Sequence, residues 1–322
     1  MRDPSDGGCR SGCFGAGGLS EAGCRVTALP LSTVAAPPRL AIVRVLIAGA
    51  TGVLGSRLLP ALVSAGHTVI GTTRHADRRR AILDAGGEPV AMDALDPASV
   101  AEAIAAARPD AIVHLLTDLS GRDWAGNARL RVEGTANLVD GALEAGVDRM
   151  IAESVSWRYE PGERPATEDE PAAVDPVTGG PVYAPVESLD RDLARMPHGT
   201  VLRYGLLYGA GTWYAPDGML TREAGTGRVV ATTDHTSWIH VDDAVAATVL
   251  ALDWPAGAVN VVDDDPSRLA DWGPVLAERG GYTGDALELV AGAPGRAADN
   301  RLARSLGWTP SRRSWRDGLG LD

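Results

Sequence analysis

Residues 43–57 read Val-Arg-Val-Leu-Ile-Ala-Gly-Ala-Thr-Gly-Val-Leu-Gly-Ser-Arg: a short apolar run, then three spaced glycines at the opening of a helical pattern. This arrangement suits the pyrophosphate of a dinucleotide. Gly49 permits a tight turn, Gly52 lets the backbone approach the phosphates, and Gly55 lets helix and strand pack closely. Thr51, Val53 and Leu54 fill the loop between them, and the helix start offers free N–H groups to the anion. A second chemical constraint is an absence. All 30 basic residues are arginine and none is lysine, so a mechanism that needs an ammonium group is excluded.

The loop must sit between a strand and a helix, and the pattern supplies both. Leu54, Leu58, Leu59 and Leu62 form one apolar face, and Gly66 stops the helix. Further strands are expected at 67–72, 89–92, 111–116 and 149–152. Helices are expected at 76–85, at 99–107 behind an Asp96 N-cap with Pro97, and at 127–145. Strands alternating with helices specify an α/β fold of Rossmann type, a doubly wound parallel sheet with its ligand at the carboxyl ends of the strands. Beyond residue 160 the alternation loosens. The stretch 160–180 is acidic and Pro-rich and reads as a loop or lid. A helix at 185–195, a strand at 200–204, a helix at 242–252 and a strand at 259–262 follow. The dinucleotide-binding core is therefore 43–160, completed by 183–205 and 238–262. A smaller, interleaved C-terminal substrate-binding region takes 161–182, 206–237 and 263–322.

The chain has 322 residues, 45% of them apolar, and a formal net charge of −12. That size supports a large core, and that charge disfavours a nucleic-acid-binding face. No apolar run is long enough to span a membrane, so a cytoplasmic protein with a small-molecule substrate is expected. Residues 1–42 carry all three cysteines (Cys9, Cys13, Cys24) and the lone phenylalanine, Phe14. Gly/Ser/Ala/Pro-rich and aperiodic, they read as disordered or as a spurious extension, with Val43 in the place of an initiator read from GTG. A peptide from residues 1–40 in the native protein would contradict that expectation.

The motifs recur in one order. Gly49-Ala-Thr-Gly52-Val-Leu-Gly55 leads to Asp93, Ile112-Val-His114-Leu115 and Gly134-Thr-Ala-Asn137-Leu. Glu153-Ser154-Val-Ser156, Leu202-Arg203-Tyr204, Tyr208-Gly209-Ala-Gly211 and His240-Val-Asp242-Asp243 come next, and Leu306-Gly307-Trp308-Thr-Pro310 closes the series. Over residues 43–320 the chain resembles the extended and atypical short-chain dehydrogenase/reductases, the NAD-dependent epimerase/dehydratase group. The resemblance implies a dinucleotide over the sheet. Asp93 and Ala94 would lie near its adenine, with His114, Leu115, Leu116 and Thr117 flanking the adjoining ribose or phosphates. Cofactor choice rests on the end of the second strand, where a carboxylate would select NAD. The chain has Thr72-Thr73-Arg74 there, and an arginine suits a 2′-phosphate. NADP(H) is therefore expected over NAD(H).

Family members that oxidise or reduce pair a tyrosine with a lysine four residues later, aided by a hydroxyl after the fifth strand. The matching residues are Tyr183 and Glu187, with Ser154 or Ser156 as the hydroxyl partner. An ionised Glu187 would raise the Tyr183 pKa, making it a poor base but a usable acid. Glu187 either acts as a base itself or faces solvent. Tyr159 and Tyr214 compete for the catalytic role or pack in the core. Arg131 and Leu206 stand where the group commonly has asparagine. Asp242 is expected to cap a helix, and Asp263–Asp265 reads as a solvated turn or cation site, while no metal site is expected. The C-terminal tryptophans, with Trp213-Tyr214, fit an aromatic ligand or core packing. The leading reading is an NADP(H)-dependent oxidoreductase acting on a small carbonyl or hydroxyl compound, with Tyr183 as acid. A non-redox isomerase, dehydratase or cyclase, and a nucleotide-binding regulatory protein without turnover, are the alternatives. An oligomer is possible.

Overall fold

The computed structural model describes residues 43–119, 122–175, 183–293 and 295–319. The expectations for residues 1–42, and for the 176–182 part of the acidic stretch, fall outside these. The central strands are β1 (Arg44–Ala48), β2 (Thr68–Thr73), β3 (Glu88–Ala91), β4 (Ala111–His114), β5 (Arg149–Val155) and β6 (His198–Tyr204), with Gly257–Val261 as the seventh. They form one parallel sheet in the order Gly257–Val261, β6, β5, β4, β1, β2, β3. The order reverses between β1 and β4, and that switch point is where a doubly wound sheet opens a crevice for its ligand.

Alternate side chains of each strand feed opposite faces. Val45, Ile47 and Val113 pack under helices α1 (Gly55–Ser64) and α8 (Val241–Leu250), with Ile82 of α2 (Arg79–Asp84) in the same core. Leu46, Ile112 and Met150 pack under α3 (Pro97–Ala107), α5 (Thr135–Glu144) and α6 (Ala184–Leu193). The Asp96 side chain accepts from the Ala98 amide with Pro97 at the first turn, so α3 starts as its sequence signals. The long helix expected at 127–145 is not one regular helix. α4 (Trp124–Arg129) runs into a π turn at Leu130–Gly134 and then into α5, and such π turns recur at functional sites.

A third core is aromatic. Tyr208, Tyr214, Trp238, Trp272 and Trp315 pack together beside α9 (Leu269–Arg279). Trp254 and Trp308 join the core beneath α1 and α8. All four C-terminal tryptophans are thus core residues, 0–3% exposed, which decides against their forming an aromatic ligand pocket.

Residues 166–170 of the acidic stretch are pinned to the rest of the described structure. Glu168 accepts from the Asn260 amide, Glu170 pairs with Arg296, and Ala166 donates to the Ala297 carbonyl. The α8 cap is His240, whose Nδ1 accepts from the Asp242 amide, so Asp242 is not the cap. Asp264 is clamped by Arg304 and Arg313, and Asp265 bonds Ser314 and Arg316. The Asp264 and Asp265 carboxylates therefore anchor the C-terminal segment, as arginine partners replace the solvent expected of an exposed turn, while Asp263 is buried. Among the described residues no helix is long and apolar enough to cross a membrane.

Candidate active site

Gly49 lies at φ +95°, in the left-handed region, and a Cβ there would come within 2.8 Å of the Leu115 carbonyl oxygen. At Gly55 a Cβ would sit 2.2 Å from the Gly49 carbonyl oxygen, so strand and helix meet only because both positions are glycine. Gly52 differs: the nearest atom to a Cβ would be the Gly49 oxygen at 3.4 Å, which leaves the space above its backbone open. Leu54 caps α1 without any side-chain acceptor, leaving the helix start available to an anion. Val53 is partly exposed and Leu54 is buried beneath the loop, with Thr51 between buried and exposed. The loop fits a dinucleotide pyrophosphate.

The remaining cofactor candidates gather along the same sheet edge. Leu115 donates to the Ala48 carbonyl, and Leu116 donates to Nδ1 of His114. His114 Nε2 lies 2.9 Å from Thr135 Oγ1, so the buried ring is neutral, with its proton on Nε2. Burial, aided by the Arg131 charge, pushes its pKa down to about 3. Thr117 follows, half-buried, at the mouth. Asp93 accepts from the Leu95 amide through its carboxylate, and the Ala94 carbonyl accepts from Asn137, which fixes the turn after β3. Arg74 is exposed at the end of β2.

At the end of β5 the Ser154 hydroxyl is buried and has no hydrogen-bond partner among the described residues. Ser156 is also buried, held where its amide donates to the Tyr204 carbonyl. Tyr183 precedes α6 and is half-buried, and its pKa is raised by burial alone. The direction matches the expectation from Glu187, but the cause does not. The reason is that Glu187 is a partly buried carboxylate already engaged by an arginine: Arg158 holds its Oε1 through both Nε (2.8 Å) and Nη2. Arg158 also approaches Asp190 (3.8 Å), which Arg203 holds at 2.7 Å. Beside them Arg131, on the π turn, faces Glu153 at 3.9 Å. Burial lowers the Arg131 pKa and raises that of Glu153, and their mutual attraction opposes both shifts. Three arginines thus meet three carboxylates beneath the site, and their charges cancel.

Two proposed tyrosines turn out to be packing residues. The Tyr159 hydroxyl donates to Asn260 Oδ1 (2.6 Å) and accepts from Arg203 (2.9 Å), which uses its hydrogen-bonding capacity inside the core. Tyr214 stacks edge-on against Trp238 (4.8 Å) and Trp272 (6.1 Å) and is buried. Sequence reasoning passed over Arg158 and named Arg203 only within a motif, with no role of its own. A helical glutamate in the lysine position of a chain without lysine was the available signal that an arginine had to meet it.

The family model described as the NAD-dependent epimerase/dehydratase family matches residues 45–262. The chain belongs to that family. This family member is an NAD(P)-dependent enzyme of oxidoreductase type. A 3-diazoavenalumate denitrifying reductase from a Streptomyces species is 40% identical to it over 307 residues, covering 87% of this chain and 100% of that one. Solved structures share the fold at lower identity. UDP-glucose 4-epimerase of Thermotoga maritima, solved with UDP-glucose, superposes with a TM-score of 0.69 at 21% identity over 86% of this chain and 96% of its own. Bordetella bronchiseptica WbmG, solved with NAD and UDP, gives 0.70 at 21% identity over 87% and 93%. Glu187 and Arg131, the positions where the sequence is expected to depart from that family's lysine and asparagine, fall in one buried charge network.

Proposed function

We propose that this enzyme is an NADPH-dependent reductase that removes a diazo group from a conjugated substrate, with no side-chain acid or base in the reducing step. The observation that carries this reading is the Arg158–Glu187 pair in the place of the lysine. No cation tunes Tyr183, so its hydroxyl stays protonated and inert as a base at neutral pH. Reduction of a carbonyl needs a proton on oxygen as well as a hydride. Reduction of a diazonium group needs only the hydride: the C–N bond breaks, dinitrogen leaves, and hydrogen takes its place on carbon. Charge balances because hydride meets a cation, and the two electrons come from the cofactor. A phenolate left on the product takes its proton from water afterwards. The diazo substrate and nitrogen loss named for the Streptomyces relative support the same reading.

The chain's own residues bind and orient. Gly49, Gly52, Gly55 and the start of α1 hold the pyrophosphate, and bound NADPH supplies hydride. Ser154 carries the unpartnered buried hydroxyl of the site and donates to a substrate oxygen. The neutral Arg131–Glu153 and Arg158–Glu187–Asp190–Arg203 network fixes the floor without placing net charge under a cationic substrate. Arg74, exposed and unpaired among the described residues, meets the 2′-phosphate and gives NADPH its advantage. Arg74→Ala is expected to weaken NADPH binding about tenfold, the lower end for a charge-assisted contact because the site is exposed, and to leave NADH unchanged.

The test is anaerobic turnover of a stable ortho-quinone diazide, 2-diazo-1-naphthol-5-sulfonate. One dinitrogen released per NADPH oxidised is expected. Failure to oxidise NADPH with this compound, alongside turnover of UDP-glucose, would overturn the reading.

A further inference from the structure

Of the eight tryptophans, five are buried in the cores, whereas Trp124 is 58% exposed, the most of any large apolar side chain described. Its indole meets that of Trp213 edge to face, with centroids 6.1 Å apart. The two come from opposite halves of the molecule. Trp124 opens α4 on the segment that leaves β4, behind an Asp123 N-cap that accepts from Gly126. Trp213 is rooted against the aromatic core, and its carbonyl accepts from Leu220 at the start of α7 (Met219–Ala224). A second tie spans the same gap, from Arg122 to Glu223 at 2.6 Å, and Arg122 itself adopts φ 55°, which costs an ordinary residue strain.

Both segments lie against the cofactor cradle. The Trp213 loop is bound to the glycine-rich turn by Arg57, which donates to the Val53 carbonyl (2.8 Å) and to the Ala210 carbonyl (2.7 Å). The Trp124 segment is held by Asn127, which accepts from the Asp118 amide just beyond Thr117. An exposed tryptophan supported this firmly, at the carboxyl ends of the strands, is a binding surface in place. Its rings are electron-rich, and the ion pair beside them carries no net charge.

We infer that Trp124, braced edge-on by Trp213, forms an aromatic platform at the mouth of the site that selects a flat, conjugated, electron-poor ring rather than a sugar nucleotide. The platform rests on the proposed reaction only for the identity of the ring substituent, since stacking requires a planar π-acceptor and nothing more.

The experiment is isothermal titration calorimetry of the cofactor-free enzyme with 2-diazo-1-naphthol-5-sulfonate in the dark, where no turnover occurs. Trp124→Ala and the milder Trp213→Phe are compared with wild type, with NADPH affinity as the control for folding. The expected result is a probe Kd raised three- to tenfold in each variant at unchanged NADPH affinity, the range set by one aromatic contact. Equal probe affinity in wild type and both variants would overturn the platform, and so would UDP-glucose binding that the variants lose. An enzyme that binds the probe through the platform yet never oxidises NADPH would refute the reaction and leave the platform standing.

Discussion

Removing Arg158 tests whether Glu187 is a structural partner or a catalytic base. The Arg158 side chain is 5% exposed, that of Glu187 21% and that of Asp190 17%. Arg158→Met takes away the only ion-pair partner Glu187 has among the described residues, whereas Asp190 keeps Arg203. Breaking a buried pair from one side costs roughly 3–5 kcal/mol, and the partial exposure of Glu187 places this case near about 3. For a protein of this size each kcal/mol moves Tm by about 2–4 °C, so a fall of roughly 6–12 °C is expected. Arg158→Met with Glu187→Leu removes both charges and should recover most of that loss, since an apolar pair can replace a buried ion pair. The assay is thermal unfolding of the wild type, both single variants and the double variant, with turnover measured on the stable ones. A single variant within a degree of wild type, or a double variant that folds well but has lost turnover, would refute the structural reading of Glu187.

Gly52→Ala and Gly55→Ala should separate binding from folding. The first meets nothing closer than 3.4 Å and is expected to keep Tm while weakening NADPH at least tenfold, whereas the second meets the Gly49 oxygen at 2.2 Å and should lower Tm outright; scanning fluorimetry and a nucleotide titration read both. Asp263 is buried and its pKa is pushed up to about 9, first by burial and then by neighbouring Asp265 and Asp264. Its folded pKa exceeds its unfolded value, so its contribution to stability is full below about pH 4 and is lost progressively as pH rises through about 9. Asp263→Asn should flatten the decline in Tm between pH 5 and pH 9, and an unchanged slope would count against a buried neutral carboxyl.

The parallel sheet and its glycine loop were legible because each local signal is short-range: an apolar strand, a glycine at each tight contact, an Asp-Pro helix start. The catalytic floor was less so. Arg158 and Glu187 are 29 residues apart, and no periodicity connects them. The π turn adds a residue to a helix whose apolar pattern still reads as continuous, so the burial of Arg131 does not show in spacing. Tyr159 and Tyr214 looked reactive because a hydroxyl is visible in sequence, while the Asn260–Arg203 bonds and the tryptophan cage that occupy them are made by tertiary packing. Likewise Trp124 and Trp315 are the same residue type, and only the fold exposes one and buries the other.

The most direct test of the account is the turnover number of Tyr183→Phe with 2-diazo-1-naphthol-5-sulfonate and NADPH, measured beside wild type. A reduction that needs no proton donor predicts a turnover number within about threefold of wild type. A loss of two to three powers of ten, the usual cost of removing a catalytic acid or an oxyanion donor, would contradict it and return Tyr183 to the centre of the chemistry.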